Sequence, residues 1–140
     1  MNHQPFSPIT YRADRTLTVA EYVNLLNRST LGQRRPVHDL HRIQSMLDHA
    51  NLVCTAWSGN LLVGVARSLT DFAYCCYLAD LSVDHAWQRQ GIGKELIRQT
   101  RQQLHPKAKI VLISAPAAVD YYPHIGFTPH DSAWVLPGDQ

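Results

Sequence analysis

The chain has 140 residues, which points to a single domain over residues 1–140 with one core, burying roughly two-thirds of its unfolded surface. A formal charge of +2 is too small to argue for nucleic acid, and no apolar run approaches the ~20 residues of a membrane span, so neither is an expected partner. The three cysteines, Cys54, Cys75 and Cys76, are odd in number, and two neighbours on one strand point to opposite sides. That argues against a disulfide framework. Together with a start, Met1 to Pro5, lacking the basic and apolar zones of a secretory leader, it points to a reducing cytoplasm.

Residues 9–12 read as a first strand. Thr18, followed three residues later by Glu21, has the form of a capping box and opens a helix with Tyr22, Val23, Leu25 and Leu26 on its buried side. A loop with Arg28, Gly32, Arg34, Arg35 and Pro36 comes next. Residues 39–49 form a second helix carrying Leu40, Ile43, Met46 and Leu47; His38 and His41 near its start have no third partner at metal-ligand spacing and read as solvated. Segments 52–57 and 61–68 flank Ser58-Gly59-Asn60, a hairpin signal. Over 77–83 the residues Tyr77, Ala79, Leu81 and Val83 recur with period two, as a half-buried strand requires. The period then becomes helical through Gly93, Leu96, Ile97, Thr100 and Leu104, with the first turn at 90–94. A short buried strand at 110–114, a helix at 116–122 and a last strand at 133–136 complete the order βααβββαβαβ. It implies an α/β (α+β) domain with a mixed, mainly antiparallel sheet and helices on both faces. Trp87, Trp134 and Tyr121 read as packing residues.

The turn between the strand at 77–83 and the helix that follows carries the chemistry. Unpaired N–H groups and the positive end of the helix dipole project from residues 90–94, where phosphate is favoured. Gly91 and Gly93 let an anion approach the main chain, and Arg89 and Lys94 add full charges. A nucleotide P-loop needs G-x-x-x-x-G-K-[ST], but Lys94 is followed by Glu95 and no glycine lies five residues before Gly93. The dinucleotide fingerprint G-x-G-x-x-G places Leu96 where a small residue belongs. What remains is Gln88-x-x-Gly91-x-Gly93.

This run resembles the [RQ]-x-x-G-x-[GA] pyrophosphate loop of the GNAT superfamily of acyl-coenzyme A N-acyltransferases. Farther on, Ala117-Ala118-Val119-Asp120-Tyr121-Tyr122-Pro123-His124-Ile125-Gly126-Phe127 is similar to the superfamily's A-x-x-F-Y-x-x-x-G-F segment, with Tyr121 in the Phe position. The resemblance spans Ile9 to Leu136. It implies the GNAT fold and acetyl-coenzyme A as co-substrate, with no metal and no covalent enzyme intermediate. Cofactor contacts are implied for Leu81, Ser82, Val83, Gln88, Arg89, Gln90, Gly91, Ile92, Gly93 and Lys94, with the main chain near Val83 polarising the thioester carbonyl. Tyr122 matches the general-acid tyrosine. Asp80 matches an acidic residue that contacts the acceptor amine in small-amine acetyltransferases, which makes it the expected base. Tyr77 stands where histone-type enzymes carry a glutamate, which favours deprotonation through water. Ala115 replaces an asparagine that bonds pantetheine, and Pro123 replaces a common acidic residue.

The implied reaction is direct attack by a primary amine of a small molecule in a ternary complex. Two other readings stay open: a peptide or protein N-acetyltransferase, and a catalytically degenerate acyl-coenzyme A sensor. The arginines at 28, 34 and 35 border the acceptor groove in the family, and a homodimer would enclose that groove.

Overall fold

The computed structural model describes residues 8–139; the start read for a secretory leader lies outside them. A five-stranded sheet forms the middle layer in the order β1 (Ile9–Arg12), β2 (Leu52–Ser58), β3 (Leu61–Thr70), β4 (Cys75–Val83) and β5 (Lys109–Val111). The first four strands are antiparallel, while β5 joins β4 in parallel. Helices α1 (Val19–Asn27) and α2 (Leu40–His49) cover one face and α3 (Ile92–Gln102) the other; a one-turn helix, α4 (Tyr121–His124), follows β5.

Local chemistry accounts for the element starts. The Thr18 hydroxyl accepts the Glu21 N–H at 3.1 Å while the Glu21 carboxylate accepts the Thr18 N–H at 3.0 Å, closing the expected capping box. Asp39 caps α2 through the Arg42 N–H. Gly59, with φ +58, turns the β2–β3 hairpin.

Two apolar layers sandwich the sheet. Tyr22, Leu25 and Leu26 of α1 and Ile43 of α2 pack on Trp57, Leu62 and Val65; Leu96 and Ile92 of α3 pack on Ala56, Val63, Ala66 and Leu78. Gly64 admits α3, since a Cβ there would stand 3.0 Å from Leu96 Cδ1.

A bulge in β4 decides which side chains meet. Arg67 pairs with Asp80 but Ser68 with Leu78, so Ala79 has no partner on β3. The extra residue shifts the alternation by one. Cys76 and Leu78 before it, and Leu81 and Val83 after it, all face α3, while Asp80 and Ser82 turn toward α1. The period-two reading through Tyr77, Ala79, Leu81 and Val83 therefore breaks, and Tyr77 is 42% exposed.

The fifth and final strands also differ from the sequence reading. The strand expected over 110–114 is the shorter β5, and the helix expected over 116–122 splits into a 3-10 turn at Pro116–Ala118 and α4. Residues 133–136 form no strand: Trp134 is 92% and Leu136 96% exposed, so Trp134 is not a packing residue here. The apolar run that reads as a strand lacks a partner edge within the described chain. Cys75 is exposed and Cys76 buried, as opposite sides of a strand require, and no described helix is long and apolar enough to cross a membrane.

Candidate active site

β4 and β5 pair only from Cys75–Lys109 to Tyr77–Val111 and then separate. The gap opens a cavity of about 700 Å³, walled by Leu81 and Val83 of β4, by Leu112 and Ile113 beyond β5, by the head of α3 and by Tyr121 and Tyr122. It passes between the strands to the α1 face, where Ser29, Arg34 and Arg35 line it.

At the α3 end the backbone forms an anion seat. Arg89 and Gly91 both adopt left-handed conformations, φ +64 and +82, and Gly91 is the α3 N-cap with no side chain to fill the site. Left-handed residues in such a turn aim neighbouring N–H groups into one concavity. Among the described residues, no main-chain N–H from Arg89 to Lys94 donates to another protein group. The helix dipole adds to this field. A Cβ on Gly93 would stand 3.1 Å from Tyr121 Oη, so only glycine leaves the space open.

The seat is tied down at its base. Gln88 Nε2 donates to the Val83 carbonyl at 3.1 Å, Asp84 accepts the Ala86 N–H at 2.9 Å and also pairs with Arg28, and the Arg28 carbonyl accepts the His85 N–H at 2.9 Å. Arg28, expected beside the acceptor groove, lies outside the cavity lining and is the strut joining α1 to this loop. Of the expected cofactor residues, Leu81, Ser82, Val83, Gln88, Arg89, Gly91, Ile92, Gly93 and Lys94 line the cavity, and Gln90 does not. Ser82 aims its hydroxyl at Ser29, 2.6 Å away on the α1 side.

Tyr122 is placed by the way α4 ends. Gly126, φ +99, is the left-handed residue past the helix; its N–H reaches the Pro123 carbonyl, and the Phe127 N–H reaches the Tyr122 carbonyl at 3.1 Å. This is a Schellman motif, and its usual apolar contact is Phe127 edge-on to Tyr122, ring centroids 5.4 Å apart. The paired glycine and phenylalanine thus fix the tyrosine at the cavity wall. Burial, and secondarily Tyr121, raises the Tyr122 phenol above its ordinary pKa, so it holds its proton across the neutral range. Tyr121, expected in the core, is 38% exposed and lines the cavity over Gly93.

Asp80 requires a correction. It is 1% exposed, lies outside the cavity lining, and both its oxygens are taken: Arg35 Nε reaches Oδ1 at 2.6 Å, Arg67 Nε reaches Oδ2 at 2.6 Å, and the Tyr22 hydroxyl donates to Oδ2. Burial opposes its charge, but the two arginines and the phenol outweigh burial and lower its pKa. A carboxylate so held is a poor proton acceptor. Its face is the expected one, opposite Leu81 and shared with Ser82; what takes it out of reach is the clamp of Arg35, Arg67 and Tyr22. Arg34 and Arg35 border the cavity as expected, while sequence reasoning misses Ser29, which carries no spacing signal, and reads Tyr121 as packing. Among the described residues no group of three or more potential ligands could hold a metal ion.

Comparison with known proteins agrees with this geometry. A family model described as an acetyltransferase (GNAT) domain matches residues 32–136. An uncharacterized ycf52-like N-acetyltransferase of Prochlorococcus marinus is 29% identical over 120 residues, 81% of this chain and 64% of the relative; a ycf52 N-acetyltransferase of Gracilaria tenuistipitata is 28% identical over 122 residues, 79% and 65%. The chain thus spans just under two thirds of the length of these relatives. Among solved structures, a GNAT family acetyltransferase of Streptococcus pneumoniae has TM-score 0.78 at 21% identity, covering 95% of this chain and 99% of the other. An aminoglycoside N-acetyltransferase in complex with CoA has TM-score 0.71 at 15% identity, covering 98% and 99%. The family model covers most of the chain, and the chain belongs to the GNAT acetyltransferase family.

Proposed function

We propose that the protein is an N-acetyltransferase that moves an acetyl group from acetyl-coenzyme A to a primary amine of a small molecule, by direct attack in a ternary complex. The observation that carries this reading is the row of unpartnered N–H groups from Arg89 to Lys94, opening into the same cavity that ends at Tyr122. The residues present fit the pyrophosphate: a left-handed seat, Gly93 cleared of side chain, and the charges of Arg89 and Lys94 beside it.

Bound there, acetyl-coenzyme A supplies an activated thioester acyl group. Arg89 to Lys94 hold the phosphates, while Leu81, Val83, Leu112 and Ile113 form the apolar walls of the channel that leads from them. Tyr122 keeps its proton for the departing thiolate; a thiol with a pKa of ~8.5 leaves more readily when a phenol hydrogen-bonds its sulfur.

The amine must first shed a proton. A lysine-like amine, pKa ~10.4, pays about 4–5 kcal/mol to be neutral at pH 7. None of the chain's eleven carboxylates lines the cavity, so water is the proton acceptor. Ser29 donates to the Leu26 carbonyl, so in the 2.6 Å pair the Ser82 hydroxyl donates to Ser29 and keeps lone pairs with which to orient an amine N–H.

The solved structures of similar fold include an aminoglycoside acetyltransferase from a soil metagenome in complex with sisomicin, at 20% identity and TM-score 0.69, which supports a small amine as acceptor class. The test is thiol release from acetyl-coenzyme A over a panel of amines, amino acids and short peptides, with cofactor binding measured separately by calorimetry. Turnover of one amine class establishes the enzyme. Tight cofactor binding with no turnover on any amine leaves the acyl-coenzyme A sensor as the surviving reading.

A further inference from the structure

We propose that the acceptor amine carries a carboxylate, recognised at the α1-side mouth of the cavity by Arg34 and Arg35; this deepens the acetyltransferase reading and rests on it. The α3 head seats the cofactor on one face of the sheet, so the acceptor enters through the other, past Ser29, Arg34 and Arg35.

Three observations make that mouth complementary to an acid. The first is charge: the cavity wall holds Arg34, Arg35, Arg89 and Lys94 and no aspartate or glutamate, although the chain has eleven. A polycationic amine entering here meets only like charge, which costs affinity.

The second is the buried cluster behind Ala79. Arg35 and Arg67 share the single carboxylate of Asp80, and the Tyr22 phenol stays neutral because burial and Asp80 raise its pKa. Two cations against one anion leave a net charge of +1, held in low dielectric at the cavity wall, where its field on a bound group is strong. An incoming carboxylate balances it.

The third is positioning. Arg35 is fixed on all sides: Nε on Asp80, Nη2 on the Ala79 carbonyl at 2.8 Å and Nη1 on the Arg34 carbonyl at 2.8 Å. That last bond anchors the Arg34 backbone. The Arg34 guanidinium, exposed and lining the cavity, makes no hydrogen bond or ion pair among the described residues, so its fork of donors is available for a planar acid.

The experiment uses matched acceptors that differ by one carboxylate, phenethylamine against phenylalanine and putrescine against ornithine, with sisomicin as the polycation. A pair of short amidated peptides beginning Asp or Asn asks whether the acid sits on a free amino acid or a peptide. The carboxylate-bearing member is expected to have a kcat/KM higher by about tenfold or more. Arg34→Gln narrows that ratio and Arg34→Glu inverts it, with acetyl-coenzyme A affinity unaltered. Equal or better turnover of the carboxylate-free amines or of sisomicin overturns the acidic acceptor and leaves the acetyltransferase standing. Silence of every amine overturns the enzyme reading, and this one with it.

Discussion

Arg35 Nε lies 2.6 Å from Asp80 Oδ1, joining the loop before α2 to the bulged stretch of β4. The pair is more than a surface contact, because the Asp80 side chain is 0% exposed and Arg67 shares it. Removing the negative charge leaves two arginines facing one another without a counterion. Asp80→Asn should therefore destabilise the fold by about 3–5 kcal/mol, read as a fall in the urea midpoint. A selective loss of kcat with stability intact would instead restore Asp80 to the role of base.

The same ion cluster sets the response to acid. The folded-state pKa of Asp80 lies below its unfolded value of ~3.9, so its stabilisation is fully present above that value and is lost as pH falls through the lower folded value. Thermal melts should hold steady down to about pH 5 and decline below about pH 4. Asp80→Asn should flatten that decline.

Tyr122→Phe tests the acid. Its hydroxyl makes no hydrogen bond with another protein group among the described residues, while its ring packs on Phe127, so phenylalanine keeps the packing. We expect kcat to drop by about 10²–10⁴-fold with acetyl-coenzyme A affinity and melting temperature nearly unchanged.

The pH profile separates the acceptor from the enzyme. With no carboxylate in the cavity wall, kcat/KM should rise with pH until the free amine titrates, and the inflection should move when acceptors of different pKa are compared. Because burial raises the Tyr122 phenol, the fall at high pH should begin only above its ordinary value of ~10. An inflection near pH 6–7 common to all acceptors would point to a protein base.

The two loop glycines should separate folding from binding. Gly91→Ala forces a left-handed φ on an L residue with open space around its Cβ, so the cost is backbone strain of about 1 kcal/mol together with weaker cofactor binding. Gly93→Ala adds a Cβ at the second position of α3, where the helix-propensity gain is set against a 3.1 Å approach to Tyr121 Oη, so the melt should move little. The substitution should still weaken acetyl-coenzyme A binding, because the new methyl group stands in the space beside the seat. Calorimetry of cofactor binding next to thermal melts reads both effects.

Local pattern carried a large part of the molecule. The Thr18–Glu21 box, the Gly59 hairpin, the switch from strand to helical period around Gln88 and the glycine seat of α3 are decided by residues within one turn of each other, so the sequence alone suffices for them. The Tyr122-to-Phe127 segment belongs with these, since a Schellman motif is closed by neighbouring backbone groups. That Leu78 shares a face with Leu81, while Tyr77 does not, depends instead on a register shift against β3, where one unpaired residue exchanges the two faces. The Arg28 strut, the Arg35 and Arg67 clamp on Asp80 and the Ser29–Ser82 pair join residues 13 to 56 positions apart. Such contacts exist only once the sheet has formed. Residues 133–136 show the opposite case: an apolar stretch reads as a strand from its composition, but a strand forms only where another edge offers hydrogen bonds. The sequence determined where an anion can sit; tertiary structure decided which charges face it, because faces and partners are properties of the assembled sheet.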